Sequence, residues 1–186
     1  MKTPRIRLVD LRAADSAARR QAAELLVEAF PHANGWPTIE DATEEVTDLV
    51  TPERRCRAAI DDDDHLVGWI CATPGYRGRV WELHPLVVRA SARGQGIGRE
   101  LVRDLERLLT AEGALTLWVG TDDEHGETSL AHVNLYPDPL SYVREVRFAP
   151  SHPLGFYLHC GFALSGVVPD ANGRGLPGIL LSKRIG

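Results

Sequence analysis

Apolar residues recur along this chain with the two spacings that distinguish strands from helices. Alternating or short apolar runs predict strands at residues 5–11, 57–60, 66–72, 80–88, 115–119, 162–168 and 179–182. Apolar positions three or four residues apart predict helices at residues 14–30, 38–50 and 97–112, with shorter helical pieces around 140–146 and 152–160. The chain therefore alternates strands and helices, as α/β proteins do.

Two polar segments interrupt this pattern. Four consecutive aspartates and His65 separate two predicted strands, which predicts a hairpin turn at residues 61–65. Four adjacent carboxylates point in divergent directions and lack the alternate spacing of a calcium loop, so a solvated turn is favoured over a cation site. Residues 120–150 are long, polar and irregular, and a loop of that size in a compact domain is usually functional.

Composition limits the classes of protein to which the chain can belong. The 186 residues, 44% of them hydrophobic, suffice for one core, so we expect a single domain over residues 1–186. The absence of a signal peptide or membrane span in the sequence favours a cytoplasmic protein without a membrane partner. A formal charge of −5 disfavours a general nucleic-acid binder and permits a cationic partner.

Cysteine and histidine spacing predicts neither a disulfide framework nor a metal site. Cys56, Cys71 and Cys160 are odd in number, lie in apolar surroundings and form no CxxC pair, so we expect three buried free thiols. Six histidines show no metal-ligand spacing and receive no role: His32, His65, His125, His132, His152 and His159.

The sequence RGQGIG at residues 93–98 predicts a binding site for phosphate groups. It lies between a predicted strand and a predicted helix. Glycines there leave backbone N–H groups unhindered at the positive end of the helix dipole, an arrangement that binds a pyrophosphate. The spacing fits neither the P-loop nor the Rossmann fingerprint, and an ordinary glycine-rich helix start is the alternative.

Residues 86–98, LVVRASARGQGIG, resemble the R-x-x-G-x-G signature of the GNAT acetyltransferase superfamily through Arg93, Gly96 and Gly98. Five further segments are similar to the aminoglycoside 6'-N-acetyltransferases: WELHPLVV, GTDDEHGETS, NLYPD, HPLGFYLHCGF and GVVPDANGRGLPGILLSKRI. The resemblance covers roughly residues 20–185. It departs at an extra Gly-Trp-Pro stretch within residues 34–37, in a region where acceptor-facing loops vary among these enzymes.

The resemblance implies a fold, a co-substrate and an assembly. The fold would be the α/β (α+β) GNAT fold, with a mixed, mostly antiparallel seven-stranded sheet that is splayed at the strand of residues 80–88 and flanked by helices. The co-substrate would be acetyl-CoA, with no metal, and the assembly a homodimer. The cofactor-binding residues implied are Leu86, Val87, Val88, Arg93, Gly94, Gln95, Gly96, Ile97, Gly98 and Tyr157.

Acetyl transfer to an amine needs a group that takes the amine's proton. An aliphatic amine has a pKa of about 10, so presenting it neutral at pH 7 costs roughly 4 kcal/mol. Glu82 and His84 lie two residues apart on one predicted strand and therefore share a face. By the resemblance, Glu82 orients the amine and receives its proton, with His84 as a second group. The alternatives are an outward-facing carboxylate and a half-buried, hydrogen-bonding histidine.

Two backbone positions and one tyrosine complete the predicted machinery. Leu86 and Val88 match family positions that leave backbone N–H groups free for the thioester carbonyl, and such a donor is typically worth about 3 kcal/mol in the transition state. Tyr157 matches a family tyrosine near the cofactor sulfur that protonates the leaving thiolate. Its alternative role is packing against Phe156 and Phe162.

Acidic residues in the long loop predict a site for a cationic acceptor, although simple solvation is the alternative for each of them: Asp122, Asp123, Glu124, Glu127 and Asp138. We expect acetyl transfer to the 6'-amino group of an aminoglycoside by direct attack in a ternary complex, because no cysteine is positioned as an acyl carrier. The alternatives are acetylation of a polyamine or a peptide, and a catalytically weak CoA-binding regulator.

Overall fold

The computed structural model describes residues 5–32 and 35–186. The chain divides into two compact units, with the boundary between Ala114 and Leu115. Residues 1–4, at the start of the N-terminal segment in which no signal peptide is predicted, lie outside the described residues. The same holds for Asn34 of the extra stretch.

The first unit contains an antiparallel sheet of four strands in the order β1-β2-β3-β4. The strands are β1 (Arg7–Asp10), β2 (Arg55–Ile60), β3 (Leu66–Gly75) and β4 (Val80–Val88). The predicted hairpin is confirmed, because β2 pairs directly with β3 across the aspartate-rich turn.

Three helices accompany this sheet: α1 (Ser16–Ala29), α2 (Ile39–Leu49) and α3 (Ile97–Ala111). Asp15 begins α1 by accepting the Ala18 N–H at 2.8 Å. Thr38 does the same for α2, whose Asp41 N–H donates at 3.1 Å. Such N-caps satisfy backbone donors that the first helical turn leaves without partners.

Strand β3 is buried on both of its faces. The fully buried Trp69 packs with α1 and donates from its Nε1 to the Ala22 carbonyl at 3.1 Å. A Cβ atom built on the preceding Gly68 would lie 3.3 Å from Leu101 of α3. Because successive strand residues point to opposite faces, α1 and α3 cover opposite sides of this sheet.

The expectation of three free thiols is wrong for two of the cysteines. Cys56 of β2 and Cys71 of β3 face each other in the register and form a disulfide, whereas Cys160 keeps its thiol and is half-buried. Counting back from the pair Ile60↔Leu66 would place Cys56 opposite Ile70, but an irregularity between Ala59 and Ile60 shifts the register by one residue. That shift brings the two cysteines together.

The second unit contains three antiparallel strands in the order β5-β7-β6. They are β5 (Thr116–Asp122), β6 (Ala163–Val168) and β7 (Gly178–Arg184), accompanied by two short helices, α4 (Pro139–Val143) and α5 (Leu154–His159). The long loop after β5 is held by an isolated bridge between Thr128 and Phe148.

The seven strands and five helices of the described residues are those predicted, with ends that differ by a few residues. The predicted α/β fold class with a mixed seven-stranded sheet and flanking helices is confirmed. None of the helices in the described part of the chain has the length and apolar content that a membrane crossing requires.

Candidate active site

The turn between β4 and α3 has the backbone geometry of an anion-binding site. After a short 3-10 turn at Ala90–Ala92, Gly94 and Gly96 adopt φ values of +76° and +87°. A Cβ atom at either glycine would meet nothing within 4 Å, so the left-handed backbone and not crowding is what favours glycine here.

The start of α3 presents backbone donors without backbone acceptors. Within the described residues, six consecutive N–H groups donate to no backbone oxygen: those of Gly94, Gln95, Gly96, Ile97, Gly98 and Arg99. The bond from the Glu100 N–H to the Gly96 carbonyl, at 3.0 Å, then begins the helical ladder. Free N–H groups at the positive end of a 15-residue helix fit a pyrophosphate.

Two predicted cofactor-binding side chains brace the turn itself. Nε of Arg93 donates to the Val88 carbonyl at 3.0 Å, and Nε2 of Gln95 donates to the Ser91 carbonyl at 3.2 Å. These bonds fix the path of the backbone on both sides of Gly94. The backbone donors and the side chains of this segment therefore have separate tasks.

Strand β4 carries the predicted catalytic residues on alternate positions. Glu82 and Leu86 are half-buried and His84 is exposed, whereas Leu83 and Val87 between them are buried. This alternation agrees with the shared face predicted for Glu82 and His84.

The ladder between β3 and β4 is interrupted next to these residues. Leu86 pairs with Ile70 and Leu83 with Ala72, so two residues of β4 lie opposite the single Cys71. One of the two is Pro85, which has no N–H to donate. A bulge of this kind re-aims the side chains beside it.

Trp36 is a neighbour of His84 that sequence reasoning missed. The two rings lie 5.8 Å apart between centroids, and Trp36 also packs edge-on against Phe30 at 5.4 Å. A Cβ atom on Gly35 would lie only 2.5 Å from the Phe30 carbonyl oxygen, so glycine permits this close return of the chain. The extra Gly-Trp-Pro stretch was the sequence feature that could have pointed to this contact. It marks where the chain departs from the family, but it does not show which residue Trp36 would contact.

In the second unit, adjacent acids of the long loop have different environments. Asp122 is exposed, and its Oδ1 accepts a hydrogen bond from Nδ2 of Asn172 at 2.8 Å. Asp123 is 1% exposed and accepts from the N–H groups of Glu127 and Thr128, at 2.6 and 2.9 Å, and from the Thr128 hydroxyl at 2.6 Å.

The predicted acceptor contact of Asp123 requires correction. Its carboxylate is buried and already satisfied by three donors, so it organises the loop and has no surface to offer an ammonium group. Asp138 is exposed at the start of α4, and Glu124 is half-buried. Glu127 accepts from the Ser151 hydroxyl at 2.5 Å and helps to join the two halves of the loop.

Tyr157 lies on α5 and is 7% exposed. Its ring packs edge-on against Phe156 and Phe162, with centroids 5.1 and 5.5 Å away, so the packing role is confirmed. Burial, and to a smaller extent the neighbouring Cys160, raise the pKa of the Tyr157 phenol well above its ordinary value. The phenol therefore keeps its proton at neutral pH but is a weaker acid than an exposed tyrosine, and the donor role stays a prediction.

The described residues contain one group of potential metal ligands, Asp61, Asp63 and His65, whose ligand atoms lie within 4.8 Å of one another. The group belongs to the β2–β3 turn, and two of its three residues are exposed. Exposed acidic groups of this kind are common without an ion, so we assign no metal to it.

Comparison with known proteins relates the chain to acetyltransferases. Residues 19–136 match the acetyltransferase (GNAT) family. A solved aminoglycoside 6'-N-acetyltransferase complexed with coenzyme A is 35% identical, with a TM-score of 0.89 and with 96% of this chain and 97% of that chain covered. The aminoglycoside 6'-N-acetyltransferase of Enterococcus faecium is also 35% identical, with the same coverages and a TM-score of 0.87.

More distant structures share the fold only. A spermidine/spermine N-acetyltransferase from Vibrio cholerae is 14% identical, with a TM-score of 0.62 and with 97% of this chain and 92% of that chain covered. Among curated proteins no match is found.

Gly96→Asp is expected to abolish acetyl-CoA binding. The variant introduces a carboxylate beside the free N–H groups, where the pyrophosphate would lie. Gly113→Asp is the matched control, because Gly113 follows the other end of α3, has a φ of +86° and is equally uncrowded. Calorimetry should give wild-type affinity for the control and none for Gly96→Asp. Retained affinity in folded Gly96→Asp would rule out the turn as the phosphate site.

Proposed function

We propose, on the premise that this chain belongs to the GNAT acetyltransferase family, that it transfers the acetyl group of acetyl-CoA to the 6'-amino group of an aminoglycoside. One observation carries the proposal: the chain that follows β4, the strand with Glu82, contains a run of N–H groups that donate to no backbone oxygen. The choice of acceptor rests on the relationship to aminoglycoside 6'-N-acetyltransferases at 35% identity over 96% of the chain.

Acetyl-CoA supplies the reactive thioester, and the backbone of this chain holds it. The N–H groups of residues 94–98 bind the pyrophosphate, and those of Leu86 and Val88 donate to the thioester carbonyl oxygen. Each donor to that oxygen contributes about 3 kcal/mol when negative charge develops there. Because these donors are backbone groups, side-chain changes matter less than changes in the path of the strand.

Three side chains take part in the proton transfers. Glu82 accepts a proton from the acceptor's ammonium group, directly or through water, and His84 assists on the same side of β4. The neutral amine then forms its bond to the acetyl carbon while the carbon–sulfur bond breaks, and the nitrogen releases its second proton to water. Tyr157 gives a proton to the leaving sulfur; its phenol is protonated at neutral pH, although burial and the raised pKa make it a weaker acid than an exposed tyrosine.

Exposed or half-buried acids bind the cationic acceptor. Asp122, Glu124 and Asp138 fit this task, because an aminoglycoside carries several ammonium groups that carboxylates can pair. Acetylation of an amino group removes a positive charge from such a drug, and resistance to the antibiotic would follow. We further propose that the protein acts as a single domain in the cytoplasm.

A screen of acceptors tests the proposed reaction. Purified protein with acetyl-CoA should release free CoA thiol when an aminoglycoside with a 6'-amino group is added, and not with its 6'-hydroxyl counterpart. Turnover of polyamines or peptides alone would replace the proposed acceptor. No turnover with any amine, despite cofactor binding, would favour a CoA-binding regulator.

Glu82→Gln should lower kcat/KM for the aminoglycoside by roughly 10²- to 10⁴-fold while acetyl-CoA affinity stays unchanged. The amide keeps the shape of the side chain but cannot take a proton. If the amine arrives neutral from solution, the loss is smaller and lies mainly in the acceptor KM.

Glu53→Gln serves as the control, because Glu53 is exposed and lies outside the proposed site. Initial rates across pH check both variants. A wild-type kcat/KM with an unchanged pH dependence in Glu82→Gln would remove Glu82 from the mechanism.

We also propose that the enzyme is a homodimer, solely because it resembles the 6'-N-acetyltransferases. Light scattering should give twice the chain mass of 20.5 kDa. A monomer at micromolar concentration would contradict this assembly.

A further inference from the structure

A side chain of α1 contacts the backbone that leads into the phosphate turn. Oε1 of Glu28 accepts a hydrogen bond from the Ala90 N–H at 3.1 Å, across a sequence separation of 62 residues. Its other oxygen, Oε2, lies 3.6 Å from Nη1 of Arg89. Glu28 is therefore the partner from α1 for two successive residues at the end of β4.

The position of this contact gives it its effect. Ala90 begins the 3-10 turn at Ala90–Ala92, and the first N–H groups of such a turn have no acceptor within it. The Glu28 carboxylate oxygen supplies this missing acceptor for the Ala90 N–H. Glu28 thus caps the turn from a distant helix, as an N-cap residue does from within its own chain segment.

The residue before Ala90 is fixed from the sheet side. The Arg89 N–H donates to the Val67 carbonyl at 2.8 Å, and Nη2 of Arg89 donates to the Leu66 carbonyl at 3.3 Å. The chain leaving β4 is therefore held by β3 on one side and by α1 on the other.

Two backbone hydrogen bonds connect Arg89 and Ala90, which β3 and α1 hold in place, to the start of the proposed phosphate-binding turn. The Ala92 N–H donates to the Arg89 carbonyl at 2.8 Å, and the Arg93 N–H donates to the Ala90 carbonyl at 3.3 Å. Gly94, the first residue with a free N–H, comes next. The direction of the free N–H groups therefore depends on where Ala90 is held.

We infer that Glu28 is a positioning residue for acetyl-CoA, which sets the orientation of the phosphate-binding N–H groups without touching the ligand. The inference rests on the proposed phosphate site. A negative charge near an anion site opposes anion binding, so Coulomb attraction does not explain the carboxylate. The geometry points to its oxygen as a hydrogen-bond acceptor for Ala90.

A pair of substitutions separates the acceptor from the charge. Glu28→Met keeps the length of the side chain but offers no oxygen, and we expect the Kd and KM for acetyl-CoA to rise about 3- to 10-fold, the range typical of a lost cap. At saturating acetyl-CoA, kcat should stay within about twofold of wild type, because Glu28 touches no reacting atom. Glu28→Gln keeps an acceptor oxygen and should restore near-wild-type affinity.

Glu44→Ala is the control. Glu44 is an exposed glutamate of α2, a helix outside the proposed phosphate site, so its removal should leave the affinity for acetyl-CoA unchanged. Calorimetry with CoA gives Kd, initial rates give KM and kcat, and circular dichroism establishes that each variant is folded. Glu28→Ala serves as the acceptor-free variant if the methionine substitution disturbs folding.

Three results would overturn the inference: wild-type acetyl-CoA affinity in the acceptor-free variant, no recovery in Glu28→Gln, or equal weakening in Glu44→Ala. Failure of the underlying site is distinguishable. If Gly96→Asp loses binding while the Glu28 variants keep it, only the positioning role fails. If Gly96→Asp also keeps binding, the phosphate turn itself is wrong.

Discussion

The proposed phosphate-binding turn depends on one constraint, the left-handed backbone at Gly94 and Gly96. It lets the chain leave β4, turn and begin α3 without a side-chain N-cap, so that the first N–H groups of the helix remain available. Such donors cost free energy when no acceptor meets them, and the turn is held in this form by bonds from its own side chains and from Glu28. The protein maintains an incomplete helix start that the pyrophosphate of the proposed ligand would complete.

Local patterns explain why much of the fold follows from the sequence. Strand β4 spans the predicted residues 80–88, since alternation and the glycine-rich turn mark both of its ends. The pairing of Cys56 with Cys71 did not follow, because it depends on a one-residue shift between two strands. Periodicity within one strand carries no information about a bulge in its pairing with another.

The same limit applies to the site. The glycine spacing and the shared face of Glu82 and His84 are properties of short segments, and the sequence predicted both. Asp122 and Asp123 look equivalent as letters, yet one is exposed and the other is buried under Thr128. That difference arises because the following loop folds back over Asp123 and not over Asp122. The contact of Trp36 with His84 likewise joins residues that are distant in sequence.

The two proposed proton-handling groups, Glu82 and Tyr157, differ in their access to water. Glu82 is half-buried and keeps access to water, so a proton it receives can pass to solvent. The Tyr157 phenol is buried, which disfavours the phenolate and raises its pKa, so it stays protonated at neutral pH but is a weaker acid than an exposed tyrosine. In the proposed role, Tyr157 must recover a proton after each transfer, before the next thiolate leaves. The same burial that makes donation to the thiolate costly makes this reprotonation strongly downhill, whereas an exposed tyrosine would donate more readily and recover its proton with a smaller driving force.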